Sequence, residues 1–458
     1  MTAPPTDPDL CVIGASEAGR AAAIGAIALG LTVTMVDDGD PSGMDNPDLL
    51  IEVLRRATEY RDGLSSGAPI DQAEVWRRVE RTLARAAAER SHARLAAMNI
   101  RIVRGSAKFA DATSITAAGM TIRARRIFIA SGSLVSQRAE APPELPGSLT
   151  MDSLRRMPCL PHHLLILGGD HEAVSVAQAL SGLGSQVTVL ADPLLPDFDP
   201  ELTAPLLAQL VRRGIRLVEG PLSRIRQAED EVAVEMTDGN VVTGSHILRL
   251  DRSLPDITAY APDRAGISHG NGTPLLNHTL RTTNSRVYAV GLAAGAKSAA
   301  MARAQAAVAL RAAFLRQPAR MRPETLATVT ATEPRIATIG LSDKEAAARG
   351  PITVWRWPFA ETGAGMAGDR TAVGHLKVVA DRRGRILGVG MVGDGVAESI
   401  PFWSLAVAQG LDLADLADVA LPSPSWSDAS RAIALSHAAG RLRNPWVKRA
   451  LRILRWLG

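Results

Sequence analysis

The stretch DLCVIGASEAGRAAAIGAIALGLTVTMVDDG, Asp9 to Gly39, decides the fold. Leu10 to Ile13 form a short apolar run suited to a buried strand, and a glycine turn follows at once. An Ala-rich helix and a second strand ending at Val36 complete the opening of a βαβ unit. A dinucleotide-binding turn needs one glycine for the tight bend, a second so that pyrophosphate reaches the backbone, and a third so that helix and strand pack. Those places hold Gly14, Ser16 and Gly19. Asp37, 23 residues after Gly14, stands where a carboxylate accepts both hydroxyls of a ribose. Ser16 departs from the pattern: its Cβ crowds the approach, although its hydroxyl can donate to a phosphate. The plain alternative is a simple tight turn between strand and helix.

A second unit, HLLILGGDHEAVSVAQALSGLGSQVTVL from His163 to Leu190, repeats the same order of strand, turn, helix and strand at nearly the same spacing. The chain thus carries two copies of one nucleotide-binding architecture. Between them the Arg/Glu/Ala-rich stretch from Gln72 to Met98 reads as helix. Strand-like pieces follow at Ile100 to Val103, Ser114 to Thr116 and Ile127 to Ala130, and Pro142, Pro143 and Pro146 mark a connection. From about Pro334 short strands (His375 to Val379, Ile386 to Val392) alternate with helices (Ala397 to Gln409, Leu411 to Ala417), as in an α+β domain. A length of 458 residues accommodates about three domains.

Composition narrows the function classes. With 46% apolar residues and 39 glycines the chain is neither disordered nor collagen-like, and with 3% aromatics its core must be built from Ala, Val, Ile and Leu. Its two cysteines, Cys11 and Cys159, form no pairing motif, which excludes a disulfide scaffold and a cysteine-based zinc site and points to the reducing cytoplasm. The start shows no signal-peptide pattern, and Ala21 to Val36 is shorter than the roughly 20 residues of a membrane span. The net charge of +4 is concentrated at the end. Residues 441–458 contribute +6, which leaves the rest at −2 and argues against a nucleic-acid face.

With both turns in view, the chain resembles the FAD-dependent pyridine nucleotide-disulfide oxidoreductases, the family of dihydrolipoamide dehydrogenase, mercuric reductase and glutathione reductase. RGSAKFAD, Arg104 to Asp111, is similar to the family's loop whose backbone holds the adenine end of the flavin. RRIFIASGS, Arg125 to Ser133, is similar to its strand and Ala-Thr-Gly turn. RTTNSRVYAVGLAAG, Arg281 to Gly295, is similar to the strand that returns to the flavin, and EPRIATIGLSDKEAAARG, Glu333 to Gly350, to the entry of the dimerisation domain. The resemblance implies an α/β fold with two Rossmann-like nucleotide-binding domains, FAD and NAD(P)-like, and a C-terminal α+β dimerisation domain, in a homodimer. It implies a flexible arm at 1–9, a FAD-binding domain at 10–150 and 276–325, an NAD(P)-binding-like domain at 151–275, a dimerisation domain at 326–440 and a basic tail at 441–458. The FAD-binding residues it implies are Gly14, Ser16, Gly19, Asp37, Gly105, Ala107, Ala130, Ser131, Gly132, Gly291 and Leu292.

The same resemblance exposes departures. The family relays electrons through a Cys-x-x-x-x-Cys pair beside the flavin, and the equivalent stretch here, DDGDPSGMDNPDLL from Asp37 to Leu50, has no cysteine. Asp40 and Asp45 fall near the two sulfur positions and read as turn formers. The family's lysine beside the flavin falls on Leu49 and its glutamate partner on Ser175. In the second turn Gly168, Asp170 and Ala173 replace three glycines, and Ala191 replaces the ribose-binding acid. Asp170 would repel a pyrophosphate and is itself a natural helix cap, so NAD(P)H binding is expected to be poor. Leu292 replaces an aspartate that accepts from the ribityl chain. In LPSPSWSD, Leu421 to Asp428, Ser423 stands at the histidine of the family's His-Pro base and Asp428 at its orienting acid.

No catalytic residue is therefore assigned, and His162, His163, Asp170, His171 and Glu172 read as a surface loop and a helix cap rather than a metal site. The tail RLRNPWVKRALRILRWLG places apolar Trp446, Val447, Ala450, Leu451, Ile453, Leu454 and Leu457 on one arc and Lys448, Arg449, Arg452 and Arg455 on the opposite one. Such a helix lies on an anionic membrane surface, here the inner face, or docks its apolar arc on its own protein; the sequence leaves both open. Two functions remain: a FAD-binding oxidoreductase without disulfide chemistry, or an inactive dimeric pseudoenzyme that serves as a scaffold.

Overall fold

The computed structural model describes residues 7–39, 47–63, 72–131, 135–136, 145–157, 159–250, 253–254, 256–368, 373–442, 449 and 455. Asp40, Asp45, Gly132 and most of the tail lie outside the described residues. The chain divides into two compact units. One comprises Met1–Ile166, Gly182–Ser185 and Leu222–Arg322; the other comprises Leu167–Ser181, Gln186–Pro221 and Pro323–Gly458.

The first unit is organised by a parallel five-stranded sheet in the order Val287–Ala289, Arg126–Ile129, Leu10–Ile13, Val33–Asp37, Ile100–Arg104. Both of its faces are covered, so the strands are apolar at most positions and successive residues enter different cores. Leu10, Val12, Met35 and Phe128 pack with the helices Glu17–Ala28 and Ala299–Leu310. Cys11, Ile13, Val36, Ile127 and Ile129 pack on the other side with Phe109, Ile115 and Ile122. The two helices touch through small residues, Ala18, Ala22 and Ala26 against Ala302, Ala306 and Ala309. A Cβ on Gly25 would stand 2.7 Å from Leu310, so this approach depends on glycine.

Phe109, Ile115 and Ile122 belong to a three-stranded antiparallel sheet, Lys108–Phe109, Ser114–Ala117 and Met120–Arg123. Ala118 and Gly119, both at positive φ, close its second hairpin. The segment read as one helix from Gln72 to Met98 is two helices, Gln72–Glu89 and His92–Ala97. Ser91 makes the break: in extended conformation its hydroxyl accepts from Arg94 N at 3.3 Å and starts the second helix. The unit also holds an antiparallel sheet of Leu222–Ala228, Glu231–Met236 and Val241–Gly244.

In the second unit the strand Gln186–Ala191 pairs in parallel with Arg216–Glu219. Its largest sheet is antiparallel, in the order Thr328–Val329, Arg335–Gly340, Ile386–Gly393, His375–Asp381, Ile352–Pro358. The helices Val396–Gln409 and Asp428–Leu442 supply Ile400, Trp403 and Ile433 to its core. Lys377, in the middle of the strand His375–Asp381, is 4% exposed at its side chain and pairs with Asp199, with Glu201 at 3.0 Å and with Asp343 at 2.9 Å. Arg356 adds a two-point pair to Glu201. Three carboxylates thus surround two fixed cations. Among the described residues no helix is long and apolar enough to cross a membrane.

Candidate functional site

The first glycine turn joins the strand Leu10–Ile13 to the helix Glu17–Ala28. Gly14 has φ +98, and a Cβ there would meet Ala130 O at 2.6 Å. A Cβ on Gly19 would lie 2.1 Å from Gly14 O, so only glycine lets this helix close on the turn. Ser16 is the helix N-cap and accepts from Gly19 N at 3.4 Å. Its proton goes to Ala130 O at 2.6 Å, so the hydroxyl that the sequence offered to a phosphate is donated within the turn. Gly14, Ser16, Gly19, Ala130 and Ser131 are thereby brought together. Gly291 joins them: at φ +72 its missing Cβ would meet Ala18 at 2.7 Å, and its N–H donates to the buried Gln305 Oε1 at 2.7 Å. Leu292, next to it, is half-buried.

Asp37 closes the far side of the turn. Its Oδ1 accepts from Ala15 N at 3.0 Å, and its Oδ2 is 2.9 Å from His92 Nε2. The side chains of His92 and Asp37 are 8% and 12% exposed. Gly105 N donates to Asp37 O at 3.0 Å, which ties the loop Arg104 to Asp111 to the same strand end. Ala107 instead puts its methyl into the core beside Phe109. Ser131 hydrogen-bonds Tyr260. Burial pushes the Tyr260 phenol above its ordinary range, the Ser131 bond opposes this, and Asp38, Asp37 and Asp256 add to the rise.

Two features escaped the sequence reading. His92 was hidden inside a stretch read as continuous helix; the signal was Ser91, a capping residue directly before it. Glu17, in the first helical turn, pairs with Arg20 at 3.0 Å and Arg303 at 2.7 Å. Burial raises its carboxyl, but the bonds from Arg303 and Arg20 outweigh this and hold it below the usual range. Arg20, itself buried, also donates to Ala15 O, so the turn is braced from within.

The second turn is built differently. Asp170 Oδ1 accepts from Ala173 N at 3.0 Å, so the carboxylate occupies an amide at the N-terminus of the helix His171–Gly182. The hydroxyl of Ser175, 1% exposed, donates to His171 O at 2.6 Å. Ala191 ends its strand 5% exposed.

Residues 8–309 match the family described as pyridine nucleotide-disulphide oxidoreductase, and residues 326–433 match that family's dimerisation domain. The chain belongs to the pyridine nucleotide-disulphide oxidoreductases. It is 27% identical to a mercuric reductase from Bacillus cereus over 91% of its own length and 69% of that protein's. Its fold matches LpdA from Mycobacterium tuberculosis with a TM-score of 0.83 and 26% identity, covering 93% of this chain and 99% of LpdA. It also matches the HOCl-induced flavoprotein disulfide reductase RclA from Escherichia coli, in a Cu(II) complex, with a TM-score of 0.81 and 21% identity over 93% and 99% of the two chains.

Members of this family are FAD-dependent and take NAD(P)H as substrate cofactor, and the dimerisation domain supports a homodimer. The first turn fits a dinucleotide such as FAD, because Gly14 and Gly19 let strand and helix close into the tight turn such a ligand uses and Asp37 keeps acceptor capacity. At the position that the resemblance gives to the orienting acid, Asp428 Oδ2 accepts from Gly363 N at 2.9 Å and Ser425 N at 3.1 Å. Burial raises the Asp428 carboxyl, yet these two amides and the Ser423 hydroxyl leave it below its usual range. Cys11 is wholly buried, and burial pushes its thiol up to about 12; Cys159 is exposed. Among the described residues no three His, Cys, Asp or Glu side chains are grouped to hold a metal ion.

Proposed function

We propose that this oxidoreductase-family chain is a cytoplasmic FAD-binding flavoprotein that works without a dithiol relay and binds NAD(P)H poorly. The observation that carries the reading is the cysteine inventory: no cysteine lies between Cys11 and Cys159, so no pair can sit five residues apart beside a flavin. FAD, when bound, supplies two-electron redox chemistry. The residues that would hold it are Gly14, Gly19, Gly105, Ala130, Ser131, Gly132 and Gly291 through backbone, and Asp37 through its carboxylate. Ala107, whose methyl is in the core, would serve through its backbone alone, and Ser16 and Leu292 complete the set. The domain boundaries inferred from the resemblance accompany this proposal. Asp170 supports weak nicotinamide binding, since its charge opposes a pyrophosphate and its cap competes for the same amides.

A second reading, an inactive dimeric scaffold, is favoured by Asp428, whose hydrogen bonds serve the loop rather than a base. In either case the tail at 441–458 is assigned to an anionic membrane surface or to the protein's own face. Flotation of the full chain with anionic liposomes, against a chain ending at Gly440, separates these. The visible absorption of the chain purified without added cofactor tests the main reading. Stoichiometric flavin bands are expected; a colourless, stable dimer that takes up no added FAD would favour the scaffold.

A further inference from the structure

We propose that His92 is a positioning residue for an adenosine ribose with free 2′- and 3′-hydroxyls; this rests on the FAD reading. The Asp37 carboxylate sits at the end of its strand on a terminal torsion with a broad, shallow preference, so left alone it would swing. Here each oxygen is held from the protein side, Oδ1 by Ala15 N and Oδ2 by His92 Nε2. An ionised carboxylate only accepts, so the imidazole proton is on Nε2 and His92 is the donor.

A carboxylate offers about four lone-pair positions, and these two bonds use one on each oxygen. One acceptor therefore remains on each oxygen, which matches the two vicinal donors of an unmodified ribose. A 2′-phosphate would instead bring an anion against Asp37. His92 can impose this geometry because it is itself fixed: Ser91 caps the helix that begins with it, and its side chain is only 8% exposed. A charge-assisted bond between two groups so far removed from water is in the stronger class of hydrogen bonds.

The test compares FAD with an FAD analogue lacking the adenosine 2′-hydroxyl, binding each to flavin-free full-length chain by fluorescence titration. The wild type is expected to bind the analogue roughly 10-fold or more weaker, as loss of one bond to a charged group predicts. In His92→Leu the carboxylate is released, FAD affinity falls, and the preference for FAD shrinks to within about 3-fold. In His92→Gln, whose amide can donate to Oδ2, the preference returns. Should His92→Leu fail to fold, His92→Asn, polar but too short to reach Oδ2, takes its place with the same expectation. A preference for FAD that is unchanged in the Leu or Asn variant, or absent in the wild type, overturns the role of His92 alone. A wild-type chain that binds no FAD overturns both this inference and the reading it rests on.

Discussion

Replacing Asp170 by glycine should create nicotinamide affinity where the wild type has little. The carboxylate caps Ala173 N at 3.0 Å, at the helix end whose amides would hold a pyrophosphate. A phosphate bound there would stand about 4 Å from the carboxylate, a repulsion of about 4 kcal/mol at an effective dielectric of about 20. Asp170 is half-buried, so solvent screening reduces this to about 2 kcal/mol at the lower bound. Between these limits the gain in affinity is about 30- to 1000-fold. The lost cap costs only a few tenths of a kcal/mol when glycine replaces it, so the fold should survive. Calorimetric titration of NADH and NADPH into wild type and Asp170→Gly reads the effect, and adding Ala191→Glu should raise NADH affinity further by restoring a ribose acceptor. Micromolar binding by the wild type, or no gain in the variant, would refute the reasoning.

Four other outcomes follow from the geometry. Lys377→Met should lower stability by about 2–3 kcal/mol in denaturant titrations, because it removes the buried cation shared by Asp199 and Asp343 and leaves Glu201 to Arg356 alone, while the partly exposed carboxylates recover some solvation. Glu201 is held down to about 2, first by its bond from Arg356, against burial and with help from Lys377. Its folded pKa is below its unfolded one, so its contribution is complete above about pH 4.5 and is lost as pH falls towards 2; a Glu201→Gln chain should show a flatter acid limb in melting temperature against pH. A thiol reagent should label one cysteine in the native chain, Cys159, and two in denaturant, since Cys11 is fully buried; fast labelling of both would contradict the packing. Gly19→Ala should abolish flavin retention, because its Cβ would stand 2.1 Å from Gly14 O, whereas Gly440→Ala, with nothing within 4 Å, should leave flavin content unchanged.

Much of the fold was legible because its signals are local. Buried parallel strands are nearly continuous apolar runs, and a glycine turn between such a strand and an Ala-rich helix has few other uses, so the segment from Leu10 to Asp37 could be read directly. The helix break at Ser91 was not legible, since Arg, Glu and Ala continue the helical composition on both sides and one serine hydroxyl decides the outcome. That break is what sets His92 against Asp37. Glu17 was passed over because an acid in a first helical turn is favourable on its own, and its partner Arg303 lies 286 positions away. Ser16 was read as a phosphate donor from chemistry that was right in kind, but its proton is directed by Ala130 O, a neighbour 114 residues distant. Asp170 was legible as a cap because capping needs only its own backbone three residues on.

The central claim is that a nucleotide-binding shell persists without the dithiol that would couple it to a disulfide. Steady-state oxidation of NADH or NADPH by the flavin-loaded chain, with and without a small-molecule disulfide, tests it most directly. The account predicts a slow rate that the disulfide does not change. Disulfide-dependent turnover with stoichiometric release of thiol would contradict it.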